Sequence, residues 1–235
     1  MMMAAEQVAL EVEDAGRMMA HVARPAGAAR GGILLLQEAF GVNDHMRDLA
    51  RRFATLGYTV IVPELYHRSA PGFSAAYDDF ESTRPQRAQL TDAGLAQDLA
   101  AAWRWLVTAA GCAERRVASV GFCLGGYVSF LANLSLPLAA SVSFYGAGIP
   151  RLLDRLADLS APVVLFWGAR DAVIDASQRQ QVLQALDRAD KPYTHVLFSM
   201  AGHGFFCDRR ASYSRLAAIQ AWALTEAFLA ERIGA

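Results

Sequence analysis

Lysine is almost missing from this chain: Lys191 stands alone beside 21 arginines in 235 residues. In a chain also rich in alanine, so one-sided a choice reads as genome compositional bias, not as phosphate recognition. Acidic and basic residues nearly cancel, 23 against 22, for a formal net charge of −1. No long-range field therefore draws the molecule to nucleic acid or to an anionic membrane, and a small neutral or weakly charged partner fits better. Cysteine is scarce too. Cys112, Cys123 and Cys207 are odd in number and widely spaced, which excludes a disulfide-built miniprotein and fits a reducing compartment. No apolar stretch approaches the roughly 20 residues of a spanning helix. The opening MMMAAEQVALEVE lacks the basic start and apolar run of a secretory leader, so the cytoplasm is the expected location. The sequon Asn133-Leu134-Ser135 is then expected to stay unmodified.

What the chain does have is apolar mass: 54% of its residues are hydrophobic, enough for one substantial core. Residues 7–13 and 18–23 alternate apolar and polar around a turn at Asp14-Ala15-Gly16, which predicts an antiparallel hairpin. Gly31 to Leu36 is a continuous apolar run, as expected of a strand covered on both faces. Asn43 or Asp44 would cap a helix over 45–56. Strands follow at 58–62, 116–121, 139–144, 163–167 and 193–198. Helices are expected at 91–108, 124–133, near Pro150, at 176–189 (with Asp175 as its cap) and at 209–233. This alternation predicts an α/β fold with a mainly parallel central sheet and helices on both faces. With no linker, internal repeat or low-complexity tract, residues 1–235 read as a single domain. The one long aperiodic segment, 64–90, carries Phe73, Tyr77 and Phe80 and is expected to wall a pocket.

The chemistry-bearing positions sit at predicted strand ends. Gly121-Phe122-Cys123-Leu124-Gly125 lies between a strand and a helix, the nucleophile-elbow pattern with Cys in place of the commoner Ser. Such a turn presents the central side chain above the sheet, and the helix N-terminus favours a thiolate and aims N–H groups at a developing oxyanion. Strand 163–167 runs into Gly168-Ala169-Arg170-Asp171, and strand 193–198 into Ser199-Met200-Ala201-Gly202-His203. Asp171 and His203 thus reach the same sheet edge as Cys123, in the order nucleophile, acid, histidine. The remaining histidines, His21, His45, His67 and His195, read as surface or structural residues, and Cys112 and Cys207 as inert thiols. No CxxC, HxH or HExxH pairing exists, so no metal is expected.

Together these segments resemble the dienelactone hydrolase family, carboxymethylenebutenolidase-like members of the α/β-hydrolase fold without a separate cap domain. The similarity runs from the opening hairpin to the last helix. It is most specific in Gln37-Glu38-Ala39-Phe40-Gly41-Val42-Asn43, Gly121 to Gly126, Phe144-Tyr145-Gly146, Gly168 to Asp171, and Gly202-His203-Gly204-Phe205. The resemblance implies that Cys123 is the nucleophile, His203 the general base and acid, and Asp171 the group orienting the imidazole, with oxyanion donors on Ala39 and Leu124. It also implies that Glu38 contacts the resting thiol and controls its ionisation, the lesser alternative being a partner for a nearby arginine. Tyr145 and Phe40 are expected either in the pocket or in the core. Family members acting on dienelactone hold its carboxylate with two arginines. Here no arginine follows His203 before Arg209, and the nearest loop candidates are Arg84 and Arg87, so the expected pocket favours a neutral or apolar ester. The implied reaction is thioester-mediated hydrolysis of an activated ester or lactone, with no cofactor, by a monomer or homodimer. Two alternatives are a promiscuous attack on aryl esters or phosphotriesters by the same thiolate, and a non-catalytic small-ligand scaffold.

Overall fold

The computed structural model describes residues 6–234; residues 1–5, which bear on the leader question, lie outside the described part. Eight strands form one sheet. A hairpin of β1 (Glu6–Val12) and β2 (Gly16–Ala23) is followed by β3 (Gly31–Leu36), β4 (Tyr58–Pro63), β5 (Val117–Phe122), β6 (Ala140–Phe144), β7 (Val163–Gly168) and β8 (Tyr193–Phe198). Their order across the sheet is β1-β2-β4-β3-β5-β6-β7-β8. The first three run antiparallel to their neighbours, and everything from β4 to β8 is parallel. Every residue of β3 to β7 is buried, which explains their unbroken apolar runs. Edge strand β8 is half exposed instead.

The helices are α1 (Asp44–Thr55), the short α2 (Arg84–Ala88), α3 (Asp92–Thr108), α4 (Leu124–Ser135), α5 (Ala176–Arg188) and α6 (Arg215–Ile233). Asn43 caps α1, its side chain accepting from the Met46 N–H at 3.2 Å. The helix then buries Met46, Leu49, Ala50 and Phe53, the i, i+3, i+4, i+7 spacing of one helical face. Phe53 meets Trp222 of α6 with ring centroids 4.7 Å apart, so α1 and α6 share one face of the sheet. On the other face α4 packs against β5 and β6, with α3 beside it. Ser129 of α4 is hydrogen-bonded to Ser119 of β5 at 2.8 Å and to Ser141 of β6 at 3.1 Å, fixing the helix over the two strands with its buried hydroxyls satisfied. Asp175 caps α5 in a full capping box with Gln178. Asn133, within the sequon, is buried and holds Ala161 through both side-chain atoms.

Two expectations need correction. The last helix starts at Arg215, not near 209: residues 204–213 fold into successive turns, Cys207 N–H to Gly204, Arg210 N–H to Cys207 and Tyr213 N–H to Arg210. The element near Pro150 is a 3-10 stretch, Ile149–Asp158. The 64–90 segment is anchored along its length. Buried His67 meets buried Asp98 at 2.9 Å, and Arg68 joins the same carboxylate at 2.7 Å. The Tyr66 hydroxyl donates to the Ala39 carbonyl at 2.9 Å, tying the start of the segment to the turn after β3.

Candidate active site

The carboxyl ends of β3, β5, β6, β7 and β8 open at one edge, and the sheet order reverses between β3 and β5, where open α/β sheets leave a crevice. Cys123 follows β5 directly. Its φ of 55° and ψ of −113° lie outside the regions comfortable for an L-residue. The elbow is held by tight backbone contacts: a Cβ at Gly125 would collide with the Leu36 carbonyl and one at Gly121 with the Gly125 carbonyl. Only glycine lets β3, β5 and α4 approach so closely.

Asp171, in the loop after β7, accepts from the Val173 and Ile174 N–H groups at 2.7 and 3.0 Å through Oδ1. Its Oδ2 accepts from His203 Nδ1 at 2.8 Å. That bond fixes the imidazole with Nε2 facing Cys123 Sγ at 3.1 Å. Burial works against a charged Asp171, but the bonds from His203 and the two N–H groups outweigh it and hold the carboxyl below its usual range. Burial likewise opposes the imidazolium, yet Asp171 and the Cys123 sulfur overcome it and push His203 up to about 10. Each group thus favours the charged form of the other.

A cavity of about 480 Å³ opens over Cys123 and His203. Ala39 and Leu124 line it. The Ala39 N–H makes no hydrogen bond among the described residues, and the Leu124 N–H, first in α4, is one of those a helix cannot satisfy internally. Phe40 and Phe80 form apolar walls with Ala147 and Val173, and Arg87, Arg151 and Arg210 bring cationic groups to it.

These arginines revise the sequence-based expectation of a neutral pocket. Arg84 is exposed and faces Glu81 at 3.6 Å, away from the cavity. Arg87 turns inward because its guanidinium stacks over Phe80 at 4.3 Å and Nε donates to buried Thr83 at 3.2 Å. Arg210 was missed altogether: it lies within a run of turns that carries no periodic signal. Gly204 makes room for it, since a Cβ there would meet the Arg210 guanidinium at 2.5 Å. Arg209, by contrast, lines a separate groove.

Glu38 and Tyr145 are placed differently from the family-based expectation. Fully buried Glu38 accepts from Arg210 at 3.2 Å, and among the described residues no hydrogen bond joins it to Cys123, whose sulfur faces His203. The arginine, with its fixed charge, supplies the better partner for a buried carboxylate. Tyr145 is fully buried at a φ of 39° and does not line the cavity. Its ring packs edge-on against His203 with centroids 5.1 Å apart, so it braces the imidazole from below. Phe40 does reach the wall, packed on Tyr77 at 4.7 Å and beneath Arg210 at 5.5 Å. Of the aromatics in the 64–90 segment, Phe80 alone lines the cavity; Phe73 packs on Tyr66 at 5.6 Å.

Comparison with known proteins agrees with this geometry. Residues 18–233 match the profile of the dienelactone hydrolase family. A Synechocystis protein provisionally named a carboxymethylenebutenolidase is 36% identical over 201 residues, 81% of each chain. One from Methylorubrum extorquens with the same provisional name is 32% identical over 93% of this chain and 78% of its own. Among solved structures, a provisionally named dienelactone hydrolase from Klebsiella pneumoniae superposes with a TM-score of 0.86 at 32% identity, covering 97% of this chain and 99% of its own. A dienelactone hydrolase-like promiscuous phosphotriesterase from metagenomic libraries shares the fold, with a TM-score of 0.86 at 23% identity and 99% coverage of both chains. A sheet of this topology, a strained cysteine elbow and a family match over nearly all of the chain lead to one assignment: the protein belongs to the dienelactone hydrolase family, hydrolases of the α/β-hydrolase fold.

Proposed function

We propose that this protein hydrolyses an activated ester or lactone of the dienelactone type, with Cys123 as nucleophile, His203 as base and then acid, and Asp171 orienting the imidazole. The observation that carries the reading is the continuous line of hydrogen bonds from Asp171 through His203 to a cysteine in a strained elbow. His203 Nε2 takes the thiol proton and the sulfur attacks the substrate carbonyl. The Ala39 and Leu124 N–H groups hold the resulting oxyanion. Collapse of the tetrahedral adduct expels the alkoxide or enolate, which takes the proton from His203 and leaves a thioester on Cys123. Water, deprotonated by the same imidazole, then releases the acid and restores the thiol. The reaction needs no cofactor.

Arg87 and Arg210 at the cavity wall favour a substrate that carries its own carboxylate, because a guanidinium pairs with it through strong charge-assisted bonds. The three free cysteines favour work in the cytoplasm, where thiols stay reduced. For phosphotriester cleavage only the shared fold speaks, and that reading is best kept as one arm of the test. The test compares initial rates of wild type and Cys123→Ala on a dienelactone, neutral p-nitrophenyl esters and an aryl phosphotriester. Dienelactone should be preferred, with most of the rate lost in the variant. Full activity without Cys123 would refute the nucleophile, and preference for neutral esters would refute the anion-binding wall. Inactivity across the whole panel would leave a ligand-binding scaffold.

A further inference from the structure

Beside the hydrolytic pair, three ligand-bearing side chains from remote parts of the chain converge. Glu38 follows β3, His45 sits in the first turn of α1, and Cys207 lies in the turns after His203; one donor atom from each lies within 4.8 Å of the other two. His45 is only 2% exposed, and Glu38 and Cys207 not at all. Glu38 spends Oε1 on Arg210, but its Oε2 and both ring nitrogens of His45 have no hydrogen-bond partner among the described residues. Buried polar atoms left in that condition are costly, and their convergence on a thiol calls for something that bonds to all of them.

We infer that Glu38 Oε2, an imidazole nitrogen of His45 and Cys207 Sγ form a binding site for one thiophilic divalent cation, zinc by the chemistry of its donors. A mixed sulfur, nitrogen and carboxylate set is characteristic of that ion. Around a tetrahedral zinc the donors stand roughly 3.5 Å apart, so the triangle closes by about 1 Å of side-chain rotation and leaves a fourth position for water. Asp208 Oδ1 stands 3.5 Å from His45 Nδ1, too long for a formed bond but placed to orient the ring as second-sphere carboxylates do. A neutral ring is the form that ligates, and burial favours it by lowering the affinity of His45 for a proton. Burial and Glu38 push the Cys207 thiol up to about 11, so the sulfur binds metal by giving its proton to solvent as the metal–sulfur bond forms. A groove of about 700 Å³ is lined by His45 and Tyr77, with Asp44 and Asp78 beside Arg47 and Arg209.

The site is independent of the proposed hydrolysis, although a cation there would hold the carboxylate to which Arg210 is bonded. Cobalt(II) is the probe, because a cobalt–thiolate bond gives an intense charge-transfer absorption that oxygen and nitrogen ligands do not. It is titrated into full-length Cys123→Ser, which removes the other thiol that faces an imidazole. One equivalent should produce the band. The band should vanish in Cys123→Ser/Cys207→Ser, and affinity should fall at least about tenfold in Cys123→Ser/His45→Gln. No band in Cys123→Ser overturns the inference, as does a band that survives loss of Cys207 or an affinity indifferent to His45. Thermal melts accompany each variant; should His45→Gln fail to fold, His45→Phe, which keeps an aromatic ring in the buried position, replaces it with the same expected loss.

Discussion

Replacing Arg87 by Met isolates the charge at the cavity wall. Arg87 is half-buried on α2, stacked over Phe80 and bonded to Thr83, and Met keeps most of its stem against the ring while removing the guanidinium. A charge-assisted bond to a carboxylate contributes about 1.5–3 kcal/mol. At about 1.4 kcal/mol per factor of ten, kcat/KM for a dienelactone should fall by about tenfold to about 100-fold. The lower end is expected, because solvent reaches the group and screens it. Arg210 makes a poorer probe: its loss would strand buried Glu38 without its cation and cost about 3–5 kcal/mol of stability, confounding the kinetics. The assay measures kcat/KM for the dienelactone and for a neutral lactone of the same shape. Only the first should suffer. Arg84→Met is the control, since that side chain is exposed and turned toward Glu81. Equal losses on both substrates, or a loss in the Arg84 variant as large as in the Arg87 variant, would refute the reasoning.

Two further outcomes concern stability. Asp171 is held below its usual range, so its contribution is present above about pH 4 and is lost as pH falls through the lower folded value. His203 is raised to about 10, so its contribution is complete below about pH 6.5 and fades as pH rises toward that value. The urea midpoint of wild type over Asp171→Asn should therefore lead most between about pH 4 and 6.5 and narrow on both sides; a pH-independent gap would contradict the pairing. Tyr145→Phe removes a buried hydroxyl without a hydrogen-bond partner among the described residues while keeping the ring against His203. It should raise unfolding free energy by about 1 kcal/mol, whereas a clear loss in the denaturation curve would mean that the hydroxyl has a partner after all.

Much of this molecule is written locally. The strands were legible because buried parallel strands must be apolar throughout, and helices such as α1 because one face repeats at helical spacing. The positions of Cys123, Asp171 and His203 were legible for a related reason: each lies in the segment that follows a strand, and parallel strands deliver their carboxyl ends to one edge. The start of α6 was misread because residues 204–213 form turns stabilised by their own backbone bonds, which leave no period in the sequence.

The sequence by itself determined the layered α/β architecture, the elbow and the shared edge that brings Cys123, His203 and Asp171 together. It pointed to Arg84 where the structure brings in Arg87, since two arginines in one helical turn look alike until Phe80 and Thr83 hold one of them inward. Nor could it find Arg210, whose place beside Glu38 depends on a run of turns and on the missing side chain of Gly204. The grouping of Glu38, His45 and Cys207 is more remote still, because its members are separated by up to 169 positions and share no motif. Charge, contact and coordination between distant residues are properties of the packed chain, and only the tertiary structure decided them.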